Sequence, residues 1–350
     1  MEDTAVVKKP PKKAIKSIQY DLFSSFITNE EQNISNTVDI WESIPKYFFT
    51  PRQVEKLRTS TGHADPYKWE YTNQEGSACK IKIQPALIEQ EDGGYKAFFP
   101  SITEELVEEA LKKIFTGQQY ACFDPKDTES WVRFTLKMIH KELKERGRSR
   151  SIPEIKHAIE VMSSCILTFH FNGKEVWKGS ILQDLVTVGR EEYQADTNAH
   201  HIARLPLFIS HAINSLEYRQ FNYQRLMQCN EQLSRWIYKR LINRYRQANS
   251  MNSYHFMYSE LKASGLLQQS RERDNRQKVI SALKELIKEN VIVNYETDQR
   301  KEGRKIIDVK YTVRSTPEFV AEQKASNKRK RDSELHIFNS GEEIRKSFLK

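Results

Sequence analysis

Between residues 271 and 305 the chain sets out donor groups at spacings suited to recognition chemistry. Winding residues 273–290 as a helix, at about 100° per residue, gathers Val279, Ile280, Leu283, Leu286 and Ile287 on one arc. Gln277, Lys278, Ser281 and Lys284 fall on the opposite arc, and Arg271, Arg273 and Arg276 crowd the N-terminal end. Arginine and lysine donate to guanine O6 and N7, and a glutamine carboxamide pairs with adenine, so such a helix has groups able to read base edges in a DNA major groove. Glu272, Asp274, Glu285 and Glu289 partly cancel its charge, and the plainer alternative is a solvated face of paired charges. Further on, Arg300, Lys301, Arg304 and Lys305 flank a single Glu302, a cationic tip suited to phosphates or a minor groove. Gly303 lets that tip turn tightly.

The elements that must hold these groups follow from apolar spacing. Leu233, Trp236, Ile237, Leu241 and Tyr245 define an amphipathic helix, a short helix is expected at Tyr258–Ala263, and Ser264 and Gly265 make the turn before the helix at Arg273–Asn290. Val291–Tyr295 and Ile306–Val313 alternate as antiparallel strands joined through the basic tip. Helices followed by a hairpin give the order of a winged-helix module, whose second helix–turn–helix element enters the major groove.

The same plan is expected earlier. One helix starts at Ser101 or Thr103 and carries Leu106, Ala110, Leu111 and Ile114; a second runs from about Thr128 to Glu145 with Trp131, Phe134, Met138, Ile139 and Leu143. A third, at 153–164, buries Ile155, Ala158, Ile159 and Met162, and Ile166–Phe171 returns through Asn172 and Gly173 into Lys174–Val188 as a hairpin. Arg146, Arg148 and Arg150, with Lys156 and Lys174, are candidate phosphate contacts, whereas Glu154 and Glu160 oppose them. DNA contact and a dimerisation or docking role stay equally open for this first module.

Outside the modules, Lys80–Gln84 reads as a strand that turns at Asp92, Gly93 and Gly94 and pairs with Tyr95–Phe99; residues 204–221 read as strand-like or mixed. The expected fold class is α+β, with two tandem winged-helix domains and disordered basic tails. Residues 1–19 form a basic arm around Lys8, Lys9, Lys12, Lys13 and Lys16, and residues 20–100 an extension packing on the first module. The first module spans 101–200, the second 201–315, and a polar tail with the run Lys328–Arg331 occupies 316–350.

Composition narrows the function classes. Lys plus Arg exceed Asp plus Glu by 56 to 47, a net +9, which admits polyanionic partners without requiring them. Mean hydropathy is −0.71 and no apolar run approaches the ~20 residues of a membrane span, so a cytoplasmic, DNA-associated protein is expected, with no membrane partner. Cys79, Cys122, Cys165 and Cys229 are too scattered for a zinc site and read as buried free thiols. No Walker A or GxGxxG sequence offers a phosphate cradle, so no cofactor, metal or catalytic residue is assigned and the chain is not expected to be an enzyme.

The runs Leu233–Arg240, Ser264–Leu267 and Arg273–Val279 resemble plasmid replication initiator (Rep) proteins of the tandem winged-helix class, as do Ile155–Met162 and Val176–Leu182 in the first module. The likeness covers about 78–315. It implies a bacterial protein that binds direct repeats (iterons) in duplex DNA at a plasmid origin, assists melting of adjacent A·T-rich DNA and recruits a host initiator and helicase. It also implies a switch between an origin-binding monomer and a dimer that represses its own promoter. Two other readings compete. One is a plain winged-helix transcriptional regulator. The other is a tyrosine recombinase, because His201 and Arg204 have that family's His-x-x-Arg spacing, with Trp236 and Tyr245 downstream. Against it, Leu205–Phe208 contains a proline where that family continues in helix, and Tyr245 lies on an apolar arc.

Overall fold

The computed structural model describes residues 33–73, 76–117, 121–124, 129–189 and 200–348. The N-terminal part comprises β1 (Ile34–Thr37), α1 (Asp39–Ser43), α2 (Pro51–Leu57), β2 (Tyr67–Thr72), β3 (Ala78–Gln84), β4 (Ala86–Glu89) and β5 (Tyr95–Phe98). The expected basic arm at 1–19 lies outside the described residues. The hairpin expected around Asp92–Gly94 exists, but its first strand is β4, paired from Ala86↔Phe98 to Glu89↔Tyr95. Pro85 separates β3 from β4, and β3 pairs with β2 and a later strand instead. A proline cannot donate to a ladder, which is why one apolar run becomes two strands in two sheets.

The first module follows as α3 (Ile102–Phe115), β6 (Ala121–Asp124), β7 (Glu129–Phe134), α4 (Leu136–Glu145), α5 (Ile152–Ser164), β8 (Ile166–Phe171), β9 (Lys174–Ser180), β10 (Gln183–Val186) and β11 (His201–Arg204). The helix expected from Thr128 begins only at Leu136. Ser130, Val132 and Phe134 are buried in alternation, and residues 129–134 pair with β11 and β6. Trp131 and Phe134 mimic a helical spacing of three, but Trp, Val and Phe in succession favour a pleated surface. Thr135 then starts the helix, its Oγ1 accepting from the Met138 N–H at 3.1 Å. Ser151 does the same for α5, with Pro153 in the first turn and Glu154 reaching back to the Ser151 N–H at 2.7 Å.

This module is a winged helix with an altered wing. Its hairpin β8–β9 does not rejoin β7; it is extended by β3 and β2 into a four-stranded sheet in the order β2-β3-β8-β9. The segment at 204–221 resolves into the end of β11, α6 (Leu207–Ser215) and β12 (Arg219–Asn222), the last paired with β1, and α7 (Tyr223–Gln228) follows.

The second module comprises α8 (Gln232–Arg244), β13 (Tyr254–Met257), α9 (Tyr258–Lys262), α10 (Glu272–Lys288), β14 (Ile292–Glu302) and β15 (Lys305–Ser315), with sheet order β13-β15-β14. The expected helices and hairpin are present; β13 was not foreseen. The turn between α9 and α10 needs its glycine, because Gly265 has φ +72° and an added Cβ would sit 2.6 Å from the Phe48 ring. Residues 317–348 are not a disordered tail but the helix α11 (Pro317–Phe348). Its first turns bury Phe319, Val320, Gln323 and Ser326, and Arg219 donates to Gln323 at 2.8 Å and Asn327 at 2.6 Å. Polar side chains that pack through hydrogen bonds leave no apolar period for a sequence to show.

The N-terminal part, α3 and α8 meet through charge. Arg235, with a side chain 0% exposed, donates twice to Glu105, at 3.1 and 2.8 Å, and to the carbonyls of Cys229 and Asn230. Lys239 bridges Glu42 (2.7 Å) and Glu109 (2.5 Å), and Lys112 bridges the same two carboxylates at 2.6 and 2.5 Å. Glu108 accepts from Trp41 and from the Tyr47 hydroxyl at 2.8 Å, while Lys46 lies over the Trp41 ring. Burial alone would raise the Glu42 carboxyl, but the Lys112, Lys239 and Lys46 ammonium groups outweigh it and hold it well below the usual range. Removing one member strands its partner's charge. Arg235→Ala is therefore expected to lower unfolding free energy by about 3–5 kcal/mol, whereas Arg235→Met with Glu105→Leu should cost far less, as measured by urea denaturation.

Candidate nucleic-acid interface

The second module's candidate for groove reading is α10. Asn275, Val279, Ala282, Leu283 and Leu286 are buried, so the opposite side faces solvent. Arg273, Gln277, Ser281, Lys284 and Lys288 recur there at spacings of three and four, forming one stripe. Arg273, Gln277 and Lys284 are exposed, Ser281 is half-buried, and Lys288 sits 3.9 Å from Glu289. Lys288 was missed as a candidate although its spacing of four from Lys284 signals it.

Two of the acidic residues that would neutralise this helix, Glu272 and Glu285, bond neighbouring elements. Glu272 accepts from Lys262 at 2.5 Å and from the Tyr258 hydroxyl, drawing α9 against the start of α10. Asp274 lies 3.6 Å from Arg271 at the exposed N-terminal end. Glu285 accepts from the backbone N–H groups of Asn230 (2.6 Å) and Glu231 (3.1 Å), where α8 has unsatisfied donors. Partial burial would raise the Glu285 carboxyl, but bonds from Ser234 and those two N–H groups outweigh it and lower it. The stripe from Arg273 to Lys284 is thus left cationic and polar, with Glu289 beside Lys288 at its end.

Two expected readers prove to be placed differently. Lys278 is on the flank of α10, and its ammonium donates to the Leu266 carbonyl at 2.8 Å, tying the helix to the preceding turn. Burial pulls its pKa down, with Glu231 acting in the opposite sense. Arg276 is half-buried at the foot of α10. Neither belongs to the stripe, because a helix of this pitch separates residue 278 from 277 by about 100°.

The wing is long and bare. Pairing runs from Ile292↔Ser315 to Glu302↔Lys305, so Gly303 and Arg304 alone make the turn. Val309, Tyr311 and Val313 bury the base, whereas Arg300, Lys301, Arg304 and Lys305 are exposed and have no ion pair among the described residues. Strand pairing therefore extends well beyond the loop expected from sequence.

In the first module Arg146, Arg148 and Arg150 are internal ties. Arg146 donates to Glu142 at 3.1 Å, Asn33 at 2.9 Å and Gln224. Arg148 donates to the Met227 and Gln228 carbonyls and to Asn230 at 2.7–2.8 Å, and Arg150 to Thr103 at 3.3 Å. Guanidinium groups so occupied join the α4–α5 turn to α7, and that role replaces the expected phosphate contact. His201 and Arg204 do not converge on one site either. They lie three apart on a strand, so they face opposite sides; Arg204 pairs with Glu129 and Asp184, and His201 accepts from the Val188 N–H. The Tyr245 hydroxyl donates to Asn252. Among the described residues no cluster of His, Cys, Asp or Glu suits a metal, and no helix is long and apolar enough to cross a membrane. Cys79, Cys165 and Cys229 are buried free thiols.

No family model and no curated protein matches the chain. Among solved structures it is similar to domains 2 and 3 of RctB, at 14% identity and a TM-score of 0.47, over 79% of this chain and 97% of that one. It is also similar to the Pi initiator protein in complex with iteron DNA, at 14% identity and a TM-score of 0.37, over 82% and 99%. At this identity no residue role passes from either protein to this chain.

The geometry separates two lysine and arginine roles. Arg273→Ala should weaken specific duplex binding by about 1–3 kcal/mol with the melting temperature unchanged. Lys278→Ala should instead lower stability, by about 1–2 kcal/mol, and leave sequence preference intact; both are read by paired binding and thermal-melting assays. Glu285 has its own signature. Its carboxyl is lowered below the ordinary value of 4.5, so its stabilisation is complete above that pH and fades as pH falls further. Denaturation between about pH 5 and pH 3 should therefore show a shallower loss of stability for Glu285→Gln than for the unmodified chain.

Proposed function

We propose that the chain is a replication initiator that binds repeated sites in duplex origin DNA. In this reading α10 lies in the major groove, where Arg273, Gln277 and Lys284 meet base edges, and the wing places Arg300, Lys301, Arg304 and Lys305 on flanking phosphates. The observation that carries DNA binding is the cationic and polar stripe beside an unpaired cationic wing, both on one winged-helix module. Solvated helix faces ordinarily mix their charges, whereas here Glu272 and Glu285 are drawn into packing and capping, leaving Asp274 at the N-terminal end and Glu289 at the C-terminal end.

The initiator assignment rests on two further supports: the residue-level resemblance to Rep proteins, and the pairing of this module with a second one. A simple repressor needs one reading module per protomer and finds its second half-site through two-fold symmetry. Two unlike modules on one chain suit an asymmetric repeat read in a fixed direction. In the proposed division, residues 201–315 supply base contact and residues 101–200 docking or self-association. Origin melting, recruitment of host initiator and helicase, repression of its own promoter and a monomer–dimer switch belong to the same proposal.

Selection of bound sites from random duplex DNA tests it. Directly repeated, non-palindromic sites are the expected result; a single palindrome would favour a transcriptional regulator, and no preference would remove base reading altogether. Replacing Arg300 and Lys301 together by alanine should reduce the slope of log affinity against log salt by about 2 while sparing the selected sequence.

A further inference from the structure

The four-stranded sheet β2-β3-β8-β9 has two unlike faces. One is aromatic: Tyr67, Trp69 and Tyr71 of β2, Phe169 and Phe171 of β8 and Trp177 of β9 share it with the buried Ile81 and Ile83. This face meets the N-terminal part and the second module, where Phe48 packs on Tyr67 and Trp69 and the Trp69 indole N–H donates to the Ala263 carbonyl at 3.4 Å.

The other face carries lysines in register. Lys68 stands directly opposite Lys82, Lys82 opposite Thr168, and Thr168 opposite Lys178, so one row crosses all four strands. The next row is Glu70, Lys80, His170 and Glu175, with both carboxylates on the outer strands. Lys68 and Lys178 are exposed, Lys80 and Lys82 half-buried, and none of the four makes an ion pair among the described residues. A polar outer face is ordinary for a sheet buried on one side, and lysines commonly blunt edge strands. Neither accounts for Lys82, which is on an inner strand and faces another lysine. Like charges directly opposite one another weaken strand pairing, so this row costs stability that a carboxylate at either position would restore.

We propose that this outer face is a second duplex-binding surface, which grips phosphates without reading bases. The ligand chemistry follows from what the face holds and lacks. Three ammonium groups across inter-strand gaps of about 4.8 Å offer point charges to a polyanion. The one ring there is the half-buried His170 imidazole, and every Phe, Tyr and Trp of the four strands is on the other side, so the face lacks the stacking platform that single strands use. Because that aromatic side is the one turned to the second module, the lysine row faces away from it and would hold a segment of duplex other than the one on α10. The surface is independent of the role proposed for α10.

The test uses the full chain and a random-sequence duplex lacking any selected site, with affinity followed by fluorescence anisotropy from about 50 to about 200 mM salt. Lys82→Glu is expected to lower the log–log salt slope by about 1–2, while the melting temperature stays level or rises because the new carboxylate faces Lys68. An unchanged slope overturns the proposal. Should Lys82→Glu melt lower, Lys178→Gln decides on an exposed outer-strand position: a slope reduced by about 0.9 supports the surface and no change overturns it. A single strand of the same length that competes better than duplex also overturns it. The loss should persist in an Arg273→Ala background, which separates failure of this surface from failure of α10 as the reader.

Discussion

The buried charge cluster between α3 and α8 is the constraint on which the arrangement of modules depends. Four carboxylates (Glu42, Glu105, Glu108 and Glu109) meet four cations (Lys46, Lys112, Arg235 and Lys239) with almost no access to water. Such a cluster stabilises less than an apolar core of equal volume, because desolvation offsets most of the attraction. Its value lies in direction. Bidentate and bridging bonds tolerate only one register between helices, whereas a greasy interface would accept sliding. The two modules are thereby held at one mutual orientation.

The same logic recurs at smaller scale around the reading helix. Glu285, Lys278 and Glu272 each leave the solvent side of α10 to bond a neighbouring element, respectively the start of α8, the Leu266 carbonyl and α9. These bonds fix how α10 is rotated about its axis. They also clear carboxylates from the side that remains exposed, so positioning and electrostatics come from the same residues.

Much of this was legible in the residues alone. The helices of the second module, its wing, and the exposure of Arg273, Gln277, Lys284, Arg300, Lys301, Arg304 and Lys305 follow from period and charge. What stayed hidden has a common cause: a charged side chain looks the same in a sequence whether it is solvated or buried in a pair. Glu104, Glu105, Glu108, Glu109 and Lys112 of α3 are all buried, which no apolar spacing announces. Arg146, Arg148 and Arg150 looked like a phosphate patch, yet the first two tie to α7 and its flanks and the third to Thr103 of α3. Strand β7 was hidden because Trp131 and Phe134 stand at a helical spacing of three while the alternation it buries, Ser130, Val132 and Phe134, begins with a serine, and α11 because its contact surface is largely polar.

Gly265 and Phe48 carry a consequence for how the chain is made. The turn before α10 packs directly against Phe48, and about 200 residues separate the two. On a ribosome adding about 5–20 residues per second, Phe48 emerges on the order of 10–40 s before its partner exists. Tyr67, Trp69 and Phe99, the other rings against Phe48 and Phe49, emerge early, so only the side of Phe48 turned to Gly265 waits for the last third of the chain.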